Sequence, residues 1–185
     1  MSSQWVSMTQ RQGPAKGKII GVEGFRLERS LPPGTYVITD VARGIESSPA
    51  VHQMFPVVRD RDIVLGRTMV SIAPGPGYMR VDSDGTILVA QEHLRSSDER
   101  VVYLDFVHEL VHVKQAMDGR SLYGGSLRYV DRATEIEAYT VAVKEGRRIG
   151  MTEEELQDYL EVPWITGEEL QRLLARMGVA QKRTA

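Results

Sequence analysis

Five consecutive residues, His108-Glu109-Leu110-Val111-His112, put two imidazoles and a carboxylate at a spacing suited to metal-assisted chemistry. On a helix, residues four apart lie about 40° apart around the axis and one turn above each other, so both imidazoles can bind one ion. Glu109, next to the first histidine, can reach a metal-bound water without ligating the metal. Zinc lowers the pKa of such a water towards about 7, and a carboxylate then accepts its proton. The competing reading is a pair of hydrogen-bonded core histidines beside an exposed glutamate. The run around the motif, RVVYLDFVHELVHVKQAM, is apolar nearly all round, so Glu109 is expected to be buried. Burying a glutamate unpaired costs on the order of several kcal/mol, and a metal-water site is the economical partner.

Catalytic zinc usually has three protein ligands and an open fourth position, and three acids compete to complete the set. Glu135 follows His112 after 22 intervening residues. It shares a helical stripe with Ala138, Tyr139 and Ala142, at i, i+3, i+4 and i+7. Two alanines beside it would let its helix pack closely on the HELVH helix, which favours Glu135. Glu137 points roughly 200° away, with Val141, Lys144 and Arg148. Asp118 lies six residues beyond His112, about 240° round and about 9 Å along a continuing helix, with Gln115 where a chain leaving the helix would need glycine. Asp105, one turn before His108, could orient a ligand histidine.

The elements that must position these groups fall into two textures. From Lys18 to Ala90 the chain reads as short β-branched strands: KIIGVEG with FRLER, then residues 35–41, 62–73, 78–81 and 86–90. Pro-Pro-Gly, Pro-Gly-Pro-Gly and Asp-Ser-Asp-Gly turns separate them. The Asp82–Gly85 segment reads as a plain turn rather than a calcium loop, since no further ligand set follows. Ser48-Pro49 opens a short helix through Phe55. After Ala90 the texture is helical. Ser96 with Glu99 reads as a capping box for the HELVH helix, and Gly119 as its stop. A second helix is expected from about Arg132 to Arg148. Two more begin at the boxes Thr152 with Glu155 and Thr166 with Glu169, the last ending at Gly178. The fold class is therefore α+β: a mixed or antiparallel β-rich N-terminal half packed on a helical C-terminal half that carries the active-site helix.

Composition removes other answers. The 185 residues contain no cysteine, which excludes disulfide frameworks, Cys-ligated zinc ribbons, iron–sulfur clusters and thiol nucleophiles. A net charge of −2 and scattered basic residues such as Arg147-Arg148 and Lys182-Arg183 give no attraction to nucleic acid or anionic membrane. No apolar run reaches the 18 or so residues of a membrane helix, and the first residues lack the apolar stretch of a secretory signal. A cytoplasmic protein is expected. Residues 1–18 read as a flexible arm, and 19–185 as one domain with its core at 86–148. Gly13–Lys18 (GPAKGK) is one residue short of a phosphate loop and lacks the Ser or Thr after its lysine.

HELVH followed by a helix bearing EIEA resembles the zincin metallopeptidases of the gluzincin kind, in which a glutamate on a second helix is the third ligand. The Glu-x-x-Ala form after a short spacer is similar to the compact ImmA/IrrE-type and related small HExxH families, over roughly residues 86–148. The resemblance implies one Zn2+ per chain held by His108, His112 and Glu135, with Glu109 as general base and acid. The activity implied is hydrolysis of a peptide or protein substrate. It also implies an edge strand that binds substrate in extended form, with residues 86–90 in the matching place. A Tyr, His or Arg should stabilise the oxyanion, and Tyr123, Tyr129, Arg132, Tyr139 and His93 are available. Peptide deformylases share HExxH but take a cysteine as third ligand, which this chain lacks. The alternative is a zinc-binding regulatory or interaction module on the same fold without peptidase activity, for which a crowded site or blocked cleft is expected.

Overall fold

The computed structural model describes residues 22–122 and 126–181. The arm expected over 1–18, the Gly13–Lys18 phrase and Tyr123 lie outside them. The fold is α+β, with a small mixed sheet in the N-terminal half and helices in the C-terminal half.

In chain order the first half runs β1 (Arg26–Leu27), β2 (Gly34–Val37), α1 (Ile38–Val41), β3 (Ala42–Arg43), α2 (Pro49–Met54), α3 (Val58–Arg67), β4 (Met69–Ala73), β5 (Met79–Val81) and β6 (Ile87–Ala90). The second half is α4 (Gln91–Ser96), α5 (Glu99–Met117), α6 (Ala133–Arg148), α7 (Glu153–Leu160) and α8 (Gly167–Met177). β1 and β3 form a separate antiparallel ladder. The main sheet has the order β2-β4-β6-β5, with β4 and β6 parallel and both outer pairs antiparallel.

Two strand expectations give way in part to helix. In residues 35–41 the strand stops at Val37, because Ile38 and Val41 are both fully buried at an i, i+3 spacing that one helical turn satisfies. In residues 62–73 the helix α3 runs to Arg67 before β4 begins. Val64 and Leu65 are adjacent and both buried, which a strand with alternating faces cannot arrange around one core. Of the first expected pair, only Arg26–Leu27 is a strand among the described residues.

The Ser96–Glu99 capping box does not form. β6 runs straight into α4, whose last turn engages Ser96 through a bond from its hydroxyl to Glu92 O (2.6 Å). Asp98 caps α5 instead, accepting the Arg100 amide at 2.8 Å. Gly119 ends α5 at φ 77°, and the Arg120 amide returns to Gln115 O, closing the helix as a left-handed cap requires. Both later boxes form with reciprocal bonds, and α8 ends at Gly178 in the left-handed region.

The helix α5 is the spine of the core. Leu104, Phe106, Val107 and Leu110 are fully buried, each contributing roughly 1.5–3 kcal/mol on removal from water. α6 packs along it through Ala138 and Ala142, both fully buried. β5 lies against α5 on the other side. Far from the histidines, a buried polar network ties three helices together: the Tyr103 hydroxyl donates to Glu145 (2.5 Å), meets the Ser48 hydroxyl (2.7 Å), and Arg148 closes on Glu145. Among the described residues no helix is long and apolar enough to cross a membrane.

Candidate metal centre

Every polar group on the buried stretch of α5 must be matched, because an unpaired one costs on the order of 1–3 kcal/mol. Arg100 is matched by Asp98 and Glu155. Glu109, 6% exposed, accepts the Val81 amide of β5 at 2.9 Å. His112 and Gln115 bond each other through Nδ1 and Oε1 at 2.8 Å.

Three atoms remain turned towards one another. His108 Nε2 and His112 Nε2 are 3.1 Å apart, and Glu135 Oε2 lies 3.4 Å and 3.5 Å from them. All three residues are buried, and Glu135 Oε2 has no hydrogen-bond partner among the described residues. A zinc ion with ligands at 2.0–2.1 Å in tetrahedral geometry sets its ligand atoms about 3.3 Å apart, close to these three separations. The residues therefore fit a small cation of the zinc kind; imidazole and carboxylate donors also suit manganese, cobalt or iron. The charges agree with that fit. Burial works against a charge on His112, but Glu135 and Glu109 push its pKa up to about 9. Burial likewise opposes the Glu135 carboxylate, and the two imidazoles outweigh it, holding Glu135 well below the usual carboxylate range. The cluster thus favours a positive charge at its centre.

Gln115 explains why Nε2 of His112 faces the cluster. Its Nε2 donates to Thr134 O at 3.0 Å and to Glu137 Oε2 at 2.9 Å, two groups that can only accept once Glu137 is ionised. This fixes the amide, so Oε1 must face His112 and Nδ1 must carry a proton, which leaves Nε2 as the nitrogen that faces the cluster. The same amide ties His112 to the residue preceding Glu135. Glu137 is held outside the cluster by Gln115 and Arg120. Asp118 is half-exposed and paired with Lys114 at 2.7 Å, so neither alternative acid reaches the histidines. Gln115 was missed as a functional residue from sequence; its i, i+3 spacing from His112 was the available signal.

His108 has different surroundings. Its Nδ1 is buried without a hydrogen-bond partner among the described residues, and its ring packs edge-on against Tyr139 at 4.5 Å. Asp105, expected to orient a ligand histidine, bonds His93 instead (2.7 Å), and His93 Nδ1 meets the Ser97 hydroxyl at 2.9 Å. His108 and Glu109 open onto a pocket with a cavity volume of about 30 Å³. Tyr129 and Tyr139 also line it, their hydroxyls 3.1 Å apart. Burial raises the Glu109 pKa despite the two histidines, the direction that suits a proton acceptor near neutrality. Burial, with Tyr139 and Glu135 nearby, holds Tyr129 well above its ordinary value, so its phenol stays a donor.

Of the other oxyanion candidates, Arg132 sits over the Tyr129 ring at 6.0 Å and donates to Leu127 O, and His93 is engaged by Asp105. Tyr78, ahead of β5, Tyr159 on α7 and Trp164, between α7 and α8, join the pocket with no local sequence signal to announce them. The strand over 86–90 is not an edge: β6 lies between β4 and β5. The edge beside the site is β5, because the hairpin through the Asp82–Gly85 turn folds it onto the outside of β6.

No family model, no curated protein and no solved structure matches this chain.

Proposed function

We propose that the protein is a zinc-dependent peptidase, with His108, His112 and Glu135 holding the metal and Glu109 moving the proton. The observation that carries this reading is the convergence of two Nε2 atoms and one unpartnered carboxylate oxygen within 3.5 Å, with Glu109 beside them at a pocket. When bound, zinc would polarise the scissile carbonyl and make a water acidic enough to attack at neutral pH.

The remaining work falls to the chain itself. Glu109 takes the proton of the attacking water and delivers it to the leaving amine; its anchor on the Val81 amide keeps the carboxylate in one place through both transfers. Tyr129, a neutral phenol in the pocket wall, donates to the developing oxyanion. Tyr78 O accepts the Ala90 amide and the Asp82 amide donates to Thr86 O, so the alternation of an antiparallel pair turns the Met79 amide and carbonyl outward. An extended peptide would pair there, on β5 rather than on residues 86–90.

A second reading, a zinc-binding module without peptidase activity, is favoured by the small size of the pocket, which has room for little more than one water. Cleavage of a peptide library by the zinc-loaded protein separates the two. The peptidase reading requires products that Glu109→Gln does not generate. Stoichiometric zinc without any cleavage would decide for the module.

A further inference from the structure

The pocket beside His108 and Glu109 has a composition that metal-assisted hydrolysis by itself does not require. Tyr78, Tyr129, Tyr159 and Trp164 supply much of its wall. The Trp164 ring centroid lies 5.0 Å from that of Tyr78 and 6.0 Å from that of Tyr129, so the rings form one connected surface. Asp105 and Glu109, one helical turn apart on α5, supply the carboxylates. Among the described residues, no lysine or arginine lines it.

Aromatic faces are electron-rich and attract a cation within about 6 Å of the ring centroid, and phenol oxygens accept hydrogen bonds from it. A pocket of such rings with carboxylates in its wall disfavours acids and prefers an ammonium to a neutral group of the same size. Its position against His108 and Glu109 puts that preference next to the proposed reacting centre.

The Ser97 hydroxyl meets His93 Nδ1 at 2.9 Å, and His93 Nε2, at 2.7 Å, holds the carboxylate of Asp105 in place at the pocket wall. The Asp105 side chain is 18% exposed, so it is neither sealed in the core nor freely solvated. The cavity volume of about 30 Å³ suits an ammonium, a head group about the size of a water, and Trp164, 40% exposed, offers an apolar surface for the stem that carries it.

We propose that this pocket is a subsite for a cationic ammonium group of the substrate, either a lysine side chain or a free peptide amino terminus. That a substrate is hydrolysed there rests on the peptidase reading; that a cation binds there does not.

Ligand-observed NMR titrations of the full-length, zinc-supplemented protein test the binding. N-acetyl-lysine methylamide and n-butylammonium are compared with the neutral isostere N-acetyl-norleucine methylamide. The cationic probes should bind at least about tenfold more tightly than the isostere. Asp105→Asn should bring them close to the isostere. Trp164→Leu, at a half-exposed position where folding is not at stake, should weaken them several-fold. Equal binding of lysine and norleucine probes, or unchanged binding in a folded Trp164→Leu protein, overturns the proposal.

Peptides carrying lysine, arginine, norleucine or glutamate, each with a free and an acetylated amino terminus, form the second arm. A basic preference that survives acetylation assigns the subsite to a side chain, and one that disappears assigns it to the terminus. Cleavage without either preference overturns the subsite and leaves the peptidase standing. Selective cation binding without cleavage of any peptide leaves the subsite standing and overturns the peptidase.

Discussion

The two histidines of the cluster sit four residues apart on one helix, yet the protein surrounds them in opposite ways. His112 is locked from behind: Gln115 bonds its Nδ1, Thr134 and Glu137 fix Gln115, and Arg120 holds Glu137. Among the described residues His108 has no polar partner at Nδ1, and its side of the cluster is aromatic and opens to a pocket. One side has the hydrogen-bond network that orients a ligand; the other has the space and donors that a reaction needs. A single helix thus serves both a holding side and a working side. Substitutions on the two sides should therefore separate, with metal affinity responding on one and turnover on the other.

The largest effect is expected on the working side. Glu109→Gln should lower kcat by about 10³-fold or more while zinc content stays at the wild-type level; a matching loss of zinc would break the division. Tyr129→Phe should lower kcat by about 10²-fold with little change in KM, read from initial rates on one peptide, because only the developing oxyanion loses its donor. On the holding side, Gln115→Leu should weaken zinc binding by roughly 10–100-fold in chelator competition, and Glu137→Gln by less, because Thr134 O still orients the amide. If Gln115→Leu lowered kcat at saturating zinc and left affinity alone, the two sides would not be distinct.

The smallest effect lies outside the cluster and serves as a reference. Burial opposes ionisation of Glu155, but Arg100 and the Thr152 amide outweigh it and lower its pKa from the ordinary value of 4.5. A depressed folded-state pKa gives stability that is present above 4.5 and lost as the pH falls through the lowered value. Arg100→Met should cost about 1 kcal/mol at pH 7 and flatten the acid side of the stability curve below pH 5, as followed by urea unfolding. An unchanged acid limb would show that this pair contributes nothing there.

How much of this could be read from the chain depended on how local the signal was. The helices α7 and α8 begin at boxes contained within four residues of sequence, and α8 ends at Gly178; these positions were legible. The stripe Glu135, Ala138, Tyr139 and Ala142 is buried as its spacing implied, because a helix face is also a local property. Residues 58–67 were read partly as strand because Ile63, Val64 and Leu65 have strand-like side chains, and only the packing of Val64 and Leu65 on one side shows the helix. The order of the main sheet was not legible at all. Residues 86–90 precede the HELVH helix wherever they sit, and it takes pairing with both β4 and β5 to move the edge to Met79–Val81. The aromatic wall has the same origin: Tyr78, Tyr129, Tyr159 and Trp164 are scattered over 87 residues and meet only in the folded protein.

The central claim, that His108, His112 and Glu135 together hold one metal ion, is tested most directly by elemental mass spectrometry on the purified protein. Wild type is compared with His112→Ala, Glu135→Ala, Glu137→Gln and Asp118→Asn. The account predicts about one zinc per chain in wild type, Glu137→Gln and Asp118→Asn, and loss in His112→Ala and Glu135→Ala. A folded Glu135→Ala protein that keeps its zinc, or a wild type that binds none when zinc is supplied, would contradict it.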